Sequence, residues 1–264
     1  MFKAKTPVIE ALAKRFPERI KELEKLIDNK TVAYIDFANV NGAVKKLGWQ
    51  VDLKKLKDLL DSFGVIEVRF YFGHYPGDQR SRGFISLAHK FGYIIRTKPV
   101  KVMQISIDVT SISKGSPDIL HSFISDTLLK ELRVEVIEYL NEELRRMNKA
   151  GKLFIEVQKC NFDVEIGTDM QVEKRAACFC LWSGDSDFAD TVKYLISEGK
   201  RVNVFGTAGR IASELNELRA KGVAIFEIRK LREFIELRPK ARETPFGASQ
   251  HGSSGLAPKE KLRH

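Results

Sequence analysis

The feature that most restricts this chain is a recurring pair: a short apolar run, then an amphipathic stretch of helical length. The runs Val32-Ala33-Tyr34-Ile35, residues 66–73, residues 93–96, residues 178–182 and residues 201–205 are nearly continuous in apolar character. Strands of this kind are covered on both faces, as in a parallel sheet, whereas a half-solvated strand alternates. Between them, residues 52–62 carry Leu53, Leu56, Leu59 and Leu60 on one helical face, and residues 79–91, 163–175, 187–197 and 211–219 also read as helices. Strand and helix in alternation predict right-handed βαβ units and an α/β domain with a parallel sheet. A last strand is expected at residues 223–227 and a closing helix at 230–236. The stretch after Asp36, with Asn39, Asn41 and Gly42, reads as a loop.

Three segments fall outside this pattern. Residues 1–30 are a helical extension, with Pro17 introducing a kink or a split into two helices. Residues 100–152 read as an insertion. It holds one apolar alternation, Val102 to Val109, suited to a hairpin or edge strand. It also holds an i, i+4 stripe, Leu120, Ile124, Leu128, Leu132, Val136, Leu140 and Leu144, that predicts one long helix or a pair. Such a stripe packs on a core or on a partner helix, the latter making a homodimer. Another strand is expected near residues 153–157. The main domain then spans residues 31–237, and 238–264, rich in Gly, Ser, Pro and charge, reads as a disordered tail.

Lys plus Arg number 45 against 35 Asp plus Glu, a formal charge of +10. This balance suits a polyanionic partner such as nucleic acid. Cys160, Cys178 and Cys180 form no C-x-x-C pair, and an odd count argues against a disulfide framework. Cys178 and Cys180 share one side of a strand and read as packing rather than zinc ligands. No apolar run approaches membrane-spanning length. These points lead to the expectation of a soluble cytoplasmic protein with no membrane partner.

Two strands end in acids. One reads Tyr34-Ile35-Asp36-Phe37-Ala38-Asn39, and the other Leu181-Trp182-Ser183-Gly184-Asp185-Ser186-Asp187-Phe188. Ligands of open α/β sheets bind outside the carboxyl ends of the strands. If the two strands are neighbours, Asp36, Asp185 and Asp187 meet there, and their mutual repulsion calls for a cation. Oxygen ligands suit Mg²⁺ or Mn²⁺, and such an ion can serve phosphodiester hydrolysis. For either acid alone a helix cap is the simpler reading. For both strand ends in a basic chain, the metal site is the better one. Asp163 and Asp169 lie on the next predicted helix, six residues apart and so on different faces. Asp163 is as readily a local cap as a catalytic acid, and Asp169 in an apolar helix needs a partner or a metal.

Taken in order, YIDFANV, FDVEIGTDM, LWSGDSDF and GKRVNVFG resemble the NYN domain family, in its LabA-like branch, over residues 31 to about 229. That branch has a strand ending in IDG-x-N, a VDV…DM helix, SGDSDF and a GK-x-V-x-V-x-G strand. The resemblance implies a PIN-like Rossmannoid three-layer sandwich with strand order 3-2-1-4-5, and a metal-dependent ribonuclease, expected to cut endonucleolytically and to act on single-stranded RNA. It implies a metal centre of Asp36, Asp169, Asp185 and Asp187, with Asp163 auxiliary, Asn39 positioning a phosphate or water, and Ser183 lining the pocket. The mechanism expected is in-line attack by water activated at the metal. Two departures stand out: Phe37 replaces the usual Gly, with a consequence for access to the metal, and the 100–152 insertion has no counterpart in the minimal domain.

Arg80, Arg82 and Lys98, beside the aromatics at 71–75, are candidates for phosphate binding, as is Arg210 in the turn after residue 205. A solvated loop and a simple turn are the competing readings. Ala38 stands two residues after Asp36, which argues against a D-x-D phosphatase. No phosphate-binding G-x-x-x-x-G-K-[ST] or dinucleotide G-x-G-x-x-G occurs. The remaining rival is a non-catalytic RNA-binding or regulatory module on the same fold. Separation of the acids, or a basic residue among them, would favour it.

Overall fold

The computed structural model describes residues 1–237; the tail expected at 238–264 lies outside them. Six strands form a parallel sheet: β1 (Thr31–Asp36), β2 (Glu67–His74), β3 (Ile94–Pro99), β6 (Cys178–Trp182), β7 (Arg201–Gly206) and β8 (Ala224–Glu227). Their spatial order is β3-β2-β1-β6-β7-β8. The family resemblance implied five strands in the order 3-2-1-4-5; the sixth is β8, which fulfils the strand expected at residues 223–227 and extends the sheet beyond β7. The numbering jumps because β4 (Lys101–Ser106), at the start of the insertion, and β5 (Phe154–Lys159), just after its expected end at 152, pair only with each other, antiparallel, so the departure from the sheet runs on to residue 159. Register aligns Ile35 with Trp182, so β1 and β6 end side by side.

The central strands β1 and β6 are buried along their length because both faces are covered, whereas β3 at the sheet edge is largely exposed, so the cover expected for residues 93–96 is not found. On one face Ala33, Ile35, Phe70, Trp182 and Phe205 pack against helices α1 (Pro7–Arg15), α2 (Pro17–Glu24), α3 (Phe37–Lys45), α4 (Leu53–Asp61) and α5 (Gln79–Lys90), and against the closing helix, α11 (Arg232–Ile235). On the other, Val32, Tyr34, Phe179, Leu181 and Val204 meet α8 (Asp163–Val172), α9 (Ala189–Ser197) and α10 (Ser213–Glu217). The result is three layers. Pro17 does split the first segment in two, but Ile9, Ile20 and Leu23 are part of the main core rather than an extension ahead of it.

The stretch after Asp36 is helix α3, not a loop. Asp36 caps it by accepting from the Asn39 amide, and Phe37, Val40 and Val44 bury one face. That burial outweighs the poor helix propensity of its asparagines and glycine. The Phe37 ring packs 4.9 Å from Phe70 and 5.1 Å from Phe84, inside the core and away from the strand-end acids. In the insertion, α6 (Asp126–Glu131) and α7 (Val134–Lys149) build a small separate core around Leu120, Leu129 and Ile137, against which Ile124, Leu132, Leu140 and Leu144 of the predicted stripe pack, while Leu128 of that stripe is exposed. Asn148 ties α7 to the segment that follows β4, accepting from the Val109 amide and donating to the Ile107 carbonyl.

Candidate functional site

In the parallel sheet the chain runs from β1 outward to β3, returns, and runs from β6 outward to β8. The switch point between β1 and β6 is where helices diverge to opposite faces and leave a crevice. Asp36 ends β1, and Ser183-Gly184-Asp185 follows β6, so two of the predicted acids flank that crevice. A cleft of about 320 Å³ there is lined by Asp36, Asn39, Lys159, Cys160, Asp163 and Asp185. A second, of about 750 Å³, runs along α8 past Asp163 to Asp187 and Lys98.

Local bonds fix the acids. Asp36 accepts from the Asn39 amide and from the Ser183 hydroxyl, each at 3.3 Å. The Asn39 side-chain oxygen accepts from the Gly184 amide at 3.2 Å, tying the two strand ends together. Ser183 also accepts from the Asp185 amide, and Asp185 accepts from the Asp187 amide. Ser183 is fully buried beneath the acids and does not line the pocket, so it positions carboxylates rather than meeting substrate. Gly184 is required by space: a Cβ would lie 2.2 Å from the Arg210 carbonyl oxygen.

Burial and neighbouring carboxylates raise Asp36 and Asp163. Burial pushes the Asp36 carboxyl up, the Asn39 amide and Ser183 hydroxyl draw it back, and the Asp185 charge adds to the rise. Asp163, half-buried, is pushed up to about 6, first by burial and then, against a bond from Asn161, by the Asp187 and Asp185 carboxylates. One Asp163 oxygen is buried with no hydrogen-bond partner.

Asp169 is not brought into this group. It sits on the opposite side of α8, almost fully buried, bonded to the Tyr71 hydroxyl at 2.6 Å and to Arg96 at 2.8 Å. Arg69 lies 3.8 Å from it and bonds Glu173 at 2.8 Å. Asp169 is thus a buried ion-pair partner that fastens α8 to β2 and β3, and of the two acids on α8 it is Asp163 that lines the crevice with Asp36 and Asp185.

The proposed phosphate contacts divide as well. Lys98 lines the cleft, but it is ion-paired with Glu165 at 2.6 Å. Arg80 and Arg82 are exposed at the start of α5 and line neither of these clefts. Arg210 lies in a turn closed by its own amide on Thr207, and the neighbouring Ala208 amide is already taken by Glu227 at 2.6 Å. That turn is no open anion nest. Sequence reasoning missed Lys159 and Cys160 on the cleft wall; their nearness to Asp163 in the chain was the available signal. Cys178 and Cys180 are buried in the strand.

Among the described residues, no three His, Cys, Asp or Glu side chains stand close enough together to hold one ion as they lie. The donor chemistry still suits a hard divalent cation. The donors are carboxylates, two are raised partly by their neighbours' charge, and one carries an orphaned buried oxygen.

Fold and site thus define a parallel α/β protein with an acidic crevice at its switch point. The family model described as NYN domain matches residues 125–224, so the resemblance read from the sequence stands. The chain is 24% identical over 215 residues to the low amplitude and bright protein LabA of Synechococcus elongatus, covering 80% of this chain and 91% of that protein. A crystal structure of a protein of unknown function from Vibrio parahaemolyticus superposes with a TM-score of 0.48 at 16% identity, over 78% of this chain and 94% of the other. Among the described residues no helix is long and apolar enough to cross a membrane.

Proposed function

We propose that this protein is a metal-dependent ribonuclease that hydrolyses RNA phosphodiester bonds, cutting internally, with Mg²⁺ or Mn²⁺ as cofactor. The observation that carries the reading is the meeting of Asp36, Asp185 and Asp163 in one crevice at the switch point. The NYN match over residues 125–224, which includes Asp163, Asp185 and Asp187, supports it. Asp36, Asp163, Asp185 and Asp187 would hold the cation, directly or through water; Asp169 is left out because Arg96 already balances it. When bound, the cation supplies the positive charge that a phosphodiester transition state needs. Ser183 and Asn39 hold Asp36 and the 183–185 turn in register, so the carboxylates are oriented before substrate arrives. Burial and the Asp187 and Asp185 carboxylates push Asp163 up to about 6, and a bound cation would offset the repulsion from those carboxylates.

A second reading keeps the fold as a non-catalytic RNA-binding module. It is favoured by the Arg96–Asp169 pair and by the spacing of the acids, no three of which can share one ion as they lie. The test is cleavage of an end-labelled single-stranded RNA with Mn²⁺, with Mg²⁺ and with EDTA, comparing the parent with Asp185→Asn at matched melting temperature. Metal-dependent cleavage lost in the variant is the expected result. Binding without cleavage in every condition would replace the enzyme with the binding module.

A further inference from the structure

Resting on the ribonuclease reading, we propose that the β4–β5 arm is the track that delivers single-stranded RNA to the carboxylate crevice, with Lys101 and Lys159 as its phosphate contacts. The arm is a two-stranded ladder that pairs with no other strand. In its register Lys101 lies directly opposite Lys159, and the same face continues with Met103 opposite Val157 and Ile105 opposite Ile155. Two like charges facing each other across a ladder destabilise it. Here both lysines are exposed, and neither has a carboxylate partner among the described residues. An anion between them relieves the repulsion. Residues directly opposite on a ladder have Cβ atoms about 5 Å apart, within reach of one phosphate or two successive ones.

The pair is continuous with the crevice. A cleft of about 500 Å³ is lined by Lys98, Lys101, Met103, Lys159, Cys160 and Asn161. Lys159, Cys160 and Asn161 also line the crevice that holds Asp36, Asp163 and Asp185, so one wall serves both. Met103, 47% exposed, and Val157, 37% exposed, offer apolar surface beside the charges, where bases can lie while the backbone meets the lysines. Lys98 adds less charge, since Glu165 holds it. The opposite face of the arm carries Glu156 and no lysine, so the charge complementarity to a phosphate backbone belongs to the crevice side.

The base of the arm is fixed to the end of β2. The Val100 amide bonds the His74 carbonyl at 2.9 Å, and the Tyr75 hydroxyl bonds Gln158 at 2.5 Å. Gly73 presses on Cys160, where a Cβ would lie 2.8 Å from the sulfur. The lysines are thus held beside the acids rather than on a free hairpin.

The experiment is anisotropy of a fluorescein-labelled, mixed-sequence 15-nucleotide RNA in EDTA over a salt series, with cleavage kinetics in Mn²⁺. The parent is compared with Lys101→Gln/Lys159→Gln and with Lys45→Gln/Lys46→Gln, which removes equal charge from the exposed end of α3. The arm variant should bind about tenfold more weakly at moderate salt, with the slope of log K against log salt reduced by about 1.4, two contacts at about 0.7 each. Its KM should rise while kcat holds, and the control should match the parent. An arm variant with parental slope and KM, in a parent that binds and cleaves, overturns the track and leaves the ribonuclease standing. Equal weakening in the control also overturns the track. A parent that neither binds nor cleaves removes both readings.

Discussion

Gly184→Ala tests the packing that shapes the site. The Cβ would lie 2.2 Å from the Arg210 carbonyl oxygen, where real Cβ atoms keep at least 3.0 Å, so the backbone must give by about 0.8 Å. The obstacle is main chain, which cannot swing aside like a flexible side chain. Yielding moves the 207–212 turn and strains the 2.9 Å bond from the Ala212 amide to the Gly184 carbonyl. Overpacking of this kind costs about 1–3 kcal/mol, and the bond contributes about 1 kcal/mol more. The expected loss is about 2–4 kcal/mol, which at about 2–4 °C per kcal/mol for a domain of this size lowers the melting temperature by roughly 4–16 °C. Gly83→Ala is the counterpart: Gly83 is inside α5, exposed, with nothing within 4 Å of a new Cβ. It should gain about 0.5–1 kcal/mol from helix propensity alone. Urea melts of both variants beside the parent measure the difference. A Gly184→Ala protein as stable as the parent would refute the argument, because the turn would then not be docked on the strand end.

Four further outcomes follow from the same geometry. Asp169→Asn should cost about 1–3 kcal/mol by weakening a buried, charge-assisted bond, with cleavage kept once the protein is folded; abolished cleavage at parental stability would return Asp169 to the catalytic group. Phe70→Ala removes a fully buried ring that stacks among Phe37, Phe72, Phe84 and Tyr93, and should lose about 3–5 kcal/mol in a denaturant melt; a loss under about 1.5 kcal/mol would mean the core collapses into the gap. Asp163 is raised from 3.8 to about 6, so the folded state binds the extra proton between those values and stability falls as pH rises through that window; Asp163→Asn should flatten this segment of the melting-temperature profile, and an unchanged slope would contradict the shift. Saturating Mn²⁺ at a hundredfold over its dissociation constant should add about 2.7 kcal/mol of stability to the parent and less to Asp185→Asn, read by thermal shift; an equal gain in both would place the ion elsewhere.

Much of the fold was legible because its signals are local. Continuous apolar runs marked β1, β2, β6 and β7 as strands covered on both faces, and the intervening periodicity marked α4, α5, α8 and α9. The pairing of Asp36 with Asp185 was also legible, because acids after two such strands share one edge whenever those strands are parallel neighbours. Pro17 marked the break between α1 and α2. What sequence could not settle depended on partners distant in the chain. Asp169 lies 98 residues from Tyr71, and that contact, with Arg96, decides that it fastens a helix while Asp163 faces the crevice. The α3 segment became a helix because Phe37 and Val40 found the core across the sheet, which its asparagines gave no reason to expect. Lys101 and Lys159, 58 positions apart, became a pair only through the ladder register of the arm. The order of residues thus determined which segments form elements and which acids end them, since periodicity and local propensity act within a few residues. Only the tertiary structure decided which charges meet, because that energy comes from burial and pairing between elements that the chain brings together last.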